Sequence, residues 1–197
     1  MPKGVPLTEA VASMRRREIL DAAVKLFLEK GFQKTSMREI AEVAGTGKST
    51  LYDYFQTKEQ LLAFIFEDAI SAMNAQTRAI AEQALPPDVR LRQIMQAQLA
   101  FVKANTSLNL QLRVEAQYIS AEAQRRLHEL RWENQDLLRR VITEGIAAGR
   151  FRLVDGLLTA RMLADTLVTV LYTSRPTGSA EQMLEEVVEI ILRGISQ

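Results

Sequence analysis

The chain has no cysteine and a single histidine, His128. The first absence removes disulfides, thiolate nucleophiles and cysteine-ligated metal, and leaves no mark of an oxidising compartment. The second leaves little from which to build metal or acid–base chemistry, since His128 with Glu129 beside it makes neither a metal site nor a catalytic pair. No set of nucleophile, base and orienting group can be assembled, so neither enzymatic activity, nor a cofactor, nor a metal is expected. There is also no uninterrupted run of about 18 apolar residues to cross a membrane, and residues 1–13 lack the apolar segment of a signal peptide. A cytoplasmic protein with no membrane partner is the expectation. Strong charge of one sign is missing too: the net charge is +1, with ten Lys/Arg against eight Asp/Glu over residues 1–60 and fifteen against sixteen over residues 61–197. A claim of nucleic-acid binding must therefore rest on where the charges sit.

What the chain does have is apolar content, 47% of 197 residues, enough for a sizeable core. That content recurs at helical spacing from Met14 onward, with no sustained period-two alternation, so the fold class expected is all-α. A first helix is predicted over 14–30, with Ile19, Ala22, Ala23, Leu26 and Phe27 on one stripe and Gly31 as its stop. Ser36 with Glu39 three residues on reads as a capping box opening a short second helix that buries Ile40 and Val43 or Ala44. Gly45 ends that helix, and Thr46 is expected to cap a third, with Leu51 and Phe55 turned inward. Longer helices follow at 58–85, 88–105, 121–148, 156–175 and 179–195, with a short one near 108–117. The last two are apolar on more than one face. Either both faces lie in the core of one bundle, or the second is buried against another copy about a two-fold axis; the dimer is the favoured expectation.

Two chemistries compete for Gly47-Lys48-Ser49. A phosphate loop of the form G-x-x-x-x-G-K-[ST] needs glycine five residues before Gly47, after a buried strand. Glu42 stands there, a carboxylate that repels phosphate, and the residues before it have helical spacing. The other reading is a helix-turn-helix, two short helices joined by a glycine turn and braced by a third, whose second helix enters the major groove. Small polar residues at its front, Gly47, Ser49 and Thr50, suit close approach to base edges. Lys48 and Lys58 stand at helix starts, where the dipole favours phosphate. Tyr52 and Tyr54 bring hydroxyls within reach of phosphate or sugar, and Tyr54 has stacking over a base or packing inward as its alternatives.

The run from Ile19 to Leu62 closely resembles the TetR family of bacterial transcriptional regulators, in its AcrR-like branch. The residues that carry the likeness include Ala22-Ala23, Leu26-Phe27, Gly31-Phe32, Thr35-Ser36-Met37-Arg38-Glu39-Ile40-Ala41, Ala44-Gly45, Leu51-Tyr52, Tyr54-Phe55 and Lys58-Glu59-Gln60-Leu61-Leu62. The resemblance implies an arm over 1–13, a DNA-binding domain over 14–60 with its helix-turn-helix at 36–55, and an effector-binding and dimerisation domain over 61–197. It implies a homodimer joined through 156–175 and 179–195 that reads a palindromic double-stranded operator and, as a repressor, is released by a small effector. It places Thr35 and Ser36 against a phosphate, Thr46, Gly47, Lys48, Ser49, Thr50, Tyr52 and Tyr54 at the recognition helix, and Lys58 as a backbone clamp. The competing function is a helical ligand-binding or interaction module without an operator.

Two positions depart from the family pattern. Gly47 replaces a larger polar residue, and Asp53 stands where a histidine, tyrosine or basic residue is common. The Asp53 carboxylate either turns away from the duplex or accepts from cytosine N4, and turned away or solvent-bridged is the favoured expectation. The run Arg15 to Arg17, with Lys3, is read as either backbone contacts of a mobile arm or a solvated helix start. For an effector cavity between helices of the second domain, the side chains singled out are Phe101, Arg113, Tyr118, Trp132 and Tyr172.

Overall fold

The computed structural model describes residues 9–106 and 115–196. Among these the chain is helical throughout: α1 Glu9–Lys30, α2 Met37–Val43, α3 Lys48–Tyr54, α4 Lys58–Ala81, α5 Pro87–Ala104, α6 Ala121–Ala147, α7 Gly156–Tyr172 and α8 Ala180–Ile195, with a 3-10 turn at Ala116–Tyr118. The one β feature among the described residues is an isolated bridge between Phe151 and Ser196. No described helix is long and apolar enough to cross a membrane.

The residues form two compact units, drawn from Met1–Asp68 with Ser107–Arg125 and from Ala69–Thr106 with Arg126–Gln197. The junction thus falls inside α4, after Asp68, and the segment 115–125 packs with the first unit. In that unit the α1 stripe is buried as its spacing predicts, Ile19, Ala22, Ala23, Leu26 and Phe27 alike. The chain is already helical at Glu9, five residues ahead of the expected Met14, so residues 9–13 of the expected arm are helical. Lys3 lies outside the described residues, as does most of the helix expected near 108–117.

The second unit is built around Leu91, Ile94 and Met95 of α5, Leu138, Val141 and Ile142 of α6, and the inner faces of α7 and α8. α4 stops at Ala81 rather than Leu85. Its end is claimed from outside: buried Arg90 donates through Nη1 to the Ala81 carbonyl at 2.5 Å and through Nη2 to Glu144 at 2.7 Å. Asp155 caps α7 by accepting from Leu157 and Leu158, and Ser179 with Gln182 forms a capping box on α8. Both closing helices bury one apolar face, Leu163 and Leu167 in α7, Leu184 and Val188 in α8. Both leave apolar side chains exposed on another: Leu158, Met162 and Val168 on α7, and Ile190, 63% exposed, on α8.

Candidate nucleic-acid interface

The turn between α2 and α3 is dictated by glycine. Gly45 adopts φ +61°, a left-handed conformation costly to side chains with a Cβ. The Gly45 N–H donates to the Glu42 carbonyl at 3.2 Å and the Thr46 N–H to the Ala41 carbonyl at 3.0 Å, the two crossed bonds of a Schellman closure. They turn the chain sharply into α3. The N-cap of α3 is Gly47, not the expected Thr46, and no side chain caps this end. α3 is pinned to the unit by Leu51, 0% exposed, and by Phe55 just past its end. α2 is held by Ile40 and Ala41, not by the expected Val43 or Ala44; Val43 is 47% exposed and Ala44 half-buried.

Ser36 is the N-cap of α2, with both halves of the capping box in place: the Glu39 N–H donates to Ser36 Oγ at 3.3 Å, and the Ser36 N–H to Glu39 Oε2 at 2.9 Å. The Ser36 hydroxyl also donates to Glu39 Oε2 at 2.7 Å. Lys30 donates to Glu39 Oε1. These donors, Lys30 first and Ser36 second, hold the Glu39 carboxyl at about 2, below its ordinary 4.5. A depressed folded value means stability that is complete above about pH 4.5 and is lost as pH falls toward about 2. The amides of Ser36 and Glu39 are accordingly expected to lose hydrogen-exchange protection across that window in the parent. In Glu39→Gln they should show no such pH step, and a step of equal size there would contradict the assignment.

Two expected phosphate contacts are otherwise engaged. Thr35 is buried, and its hydroxyl donates to the Gly31 carbonyl at 2.8 Å. Lys58 reaches back across the turn after α1, donating to the carbonyls of Phe32 at 2.8 Å, Thr35 at 3.0 Å and Gln33 at 3.4 Å, with its ammonium 4.3 Å from the Phe32 ring centre. Its N–H donors close that turn. The arginine run is likewise internal to the unit: Arg15 pairs with Glu18 at 2.7 Å, Arg17 with Asp21 at 3.1 Å, and Arg16 lies over Phe64 at 5.5 Å.

What stands outward is the α3 face and its margin. Gly47, Lys48, Ser49 and Asp53 are exposed, and Thr46, Thr50, Tyr52 and Tyr54 half-buried. The Lys48 ammonium lies 5.7 Å from the Tyr52 ring centre, one turn on. Lys34, which spacing alone did not single out, is exposed in the turn that Lys58 closes. Its signal was available as a cation beside Thr35-Ser36.

Of the expected effector residues, Phe101, Trp132 and Tyr172 lie in the second unit, on α5, α6 and α7. Arg113 lies outside the described residues. Tyr118 belongs to the first unit, its ring stacked on Phe32 at 5.6 Å. Trp132 is 58% exposed, stacked on His128 at 6.4 Å, while Phe101 and Tyr172 are half-buried on α5 and α7. A cleft of about 740 Å³ opens instead between α5 and α8, lined by Gln96, Leu99, Ala100, Leu184 and the carboxylates of Glu181, Glu185, Glu186 and Glu189. Among the described residues no three His, Asp or Glu side chains form a metal-binding group.

A braced pair of short helices with a glycine turn and a polar outer face defines a helix-turn-helix DNA-binding unit. The chain belongs to the TetR family: the family model for bacterial regulatory proteins, tetR family, matches residues 19–65, and that for the tetracyclin repressor-like C-terminal domain matches residues 84–195. It is similar to the transcriptional repressor KstR2 of Mycolicibacterium smegmatis, 29% identical over 98% of this chain and 96% of that one. Among solved structures it resembles the TetR family regulator PfmR of Thermus thermophilus, with 30% identity, a TM-score of 0.73, and 91% and 99% of the two chains covered. It also resembles the ketosteroid transcriptional regulator KstR2 of Mycobacterium tuberculosis, with 28% identity, a TM-score of 0.65, and 93% and 95% covered. The protein is a DNA-binding transcriptional regulator.

Proposed function

We propose that this regulator is a cytoplasmic homodimeric repressor, without catalytic activity of its own, that leaves a palindromic operator when a small effector binds. The observation that carries the reading is the α3 face, where Lys48, Ser49, Thr50 and Tyr52 project from a helix that Leu51 and Phe55 fix to its unit. The functional division is DNA binding over 14–60 and effector binding with dimerisation over 61–197. Lys48 and Tyr52 position the helix on phosphate and sugar, together with Lys34, Ser36 and the main chain at Thr46 and Gly47. Ser49 and Thr50 read base edges; Tyr54 supports them from the margin. The exposed side chains Leu158, Met162 and Val168 of α7 and Ile190 of α8 support dimerisation through 156–175 and 179–195, because apolar patches of this kind are rarely left wet.

Release is a population shift. α4 begins in one unit and ends in the other, spanning about 36 Å at about 1.5 Å per residue. An effector that prefers one packing of the second unit moves α4 and spoils the separation of the paired recognition helices. A ketosteroid is the first compound to assay, given the likeness to the ketosteroid transcriptional regulator KstR2. Equal operator affinity with and without a saturating compound eliminates it as an inducer. For the DNA contacts, Lys48→Ala is expected to weaken binding to all sequences and reduce the salt slope by about 1, whereas Thr50→Ala relaxes preference at one position per half-site. Parent-like titrations for both variants at several salt concentrations would refute the site.

A further inference from the structure

Asp53 has no part in the contacts proposed for α3. Side chains on a helix advance about 100° per residue. From Leu51, which points into the core, Ser49 and Asp53 each lie about 160° away, one on either hand. They therefore form the outermost ridge of α3, one turn apart, and both are exposed. Lys48 and Tyr52 flank the ridge on one side, Thr50 and Tyr54 on the other. The Asp53 carboxylate makes no hydrogen bond or ion pair among the described residues, and the Lys48 ammonium lies over the Tyr52 ring. The expectation of a carboxylate turned away from the duplex does not match this geometry, because the side opposite the core is the side a recognition helix presents.

A carboxylate on that ridge is repelled by phosphate, whereas a donor on a base edge gives it a partner. The major groove offers two, adenine N6 and cytosine N4. A carboxylate accepts and cannot donate, so the N7 acceptor beside adenine N6 opposes it. Cytosine N4 has no such neighbour on its own base. Guanine O6 and N7 and thymine O4 offer acceptors alone.

We propose that Asp53 is a specificity-determining residue that requires a G·C pair at one position of each half-site by accepting a hydrogen bond from cytosine N4. This rests on α3 being the recognition helix. Ser49 and Asp53, four residues and about 6 Å apart along the axis, then read positions about two base steps apart.

The test begins with selection of duplexes from a randomised pool by the full-length parent, D53A and D53N, each checked for parent-like helical signal. The parent is expected to return an invariant G·C that D53A relaxes and D53N shifts toward A·T, since an amide pairs with adenine N6 and N7. N4-methylcytosine at that position keeps its pairing with guanine but removes the groove-facing N–H. It should weaken the parent about tenfold and leave D53A unchanged. Identical selected sequences for parent and D53A would overturn the proposal, as would a methylation penalty equal in both, or tighter binding of D53A to every sequence, the mark of a carboxylate facing phosphate. A parent that selects no sequence at all would overturn the recognition-helix reading itself.

Discussion

Leu51→Ala is expected to abolish operator binding while removing no group that faces the duplex. Leu51 is 0% exposed and anchors a helix of seven residues, and an isolated helix of that length does not persist in water. Deleting a buried leucine side chain costs about 2–5 kcal/mol through lost burial and the cavity left behind. That is a large share of the roughly 5–15 kcal/mol that stabilises a folded domain. The second anchor on this side is Phe55, one turn on, so α3 is left without purchase at its centre. Ser49→Ala, on the opposite side of the same helix, is expected to alter stability by less than about 0.5 kcal/mol and to act on DNA alone. Chemical denaturation and fluorescence anisotropy on both variants separate the two effects. Leu51→Ala with parent stability would mean that α3 is not held as described.

The second large effect is expected in the other unit, at four buried polar side chains on three helices. Gln98 donates to Thr77 at 3.0 Å and to Asn134 at 3.2 Å; Asn134 donates to Asn74 at 3.1 Å; Asn74 donates to the Leu130 carbonyl at 2.8 Å. All four are nearly inaccessible. Asn134→Leu makes the core more apolar and is nevertheless expected to destabilise it by about 2–4 kcal/mol, because the Asn74 carbonyl oxygen and the second Gln98 N–H keep their desolvation cost without a partner. Urea unfolding measures the loss. A neutral or stabilising result would show that water or a shifted rotamer satisfies the partners.

The contrast between the two units also shows what the sequence makes legible. Helix identities, the Gly45 turn, the Ser36–Glu39 capping box and the inward pair Leu51 and Phe55 all depend on residues within about five positions of one another. Spacing carries such relations directly. The role of Lys58 does not: its acceptors lie 23 to 26 residues back, and a lysine opening a helix carries no local sign of whether its charge meets phosphate or its own main chain. Thr35 fails in the same way, since its hydroxyl turns inward onto a carbonyl that only the completed turn presents. The cap at Gly47 was hidden because Thr46 carries a side-chain oxygen able to cap and Gly47 does not, while the Schellman bond takes the Thr46 N–H back to Ala41. Tyr118 was placed in the second domain by its position along the chain and is found on Phe32 of the first unit. The polar cluster joins residues up to 60 positions apart, beyond the reach of periodicity.

Asp53 lies between these cases. Its direction follows from the position of Leu51, two residues away, once α3 is known to be buried along that line. The repulsion between a carboxylate and phosphate favoured the opposite expectation.

The central claim, that α3 gives this regulator sequence-specific hold on duplex DNA, is tested most directly by titrating the full chain against the promoter fragment beside its own gene, with a scrambled fragment of equal length as competitor. Specific protein–DNA affinity exceeds the non-specific level by about 10³ or more at physiological salt. A difference of that order is expected for the parent, and its loss in Leu51→Ala. Equal affinity for the two fragments, or a parent-like preference that survives in Leu51→Ala, would contradict it.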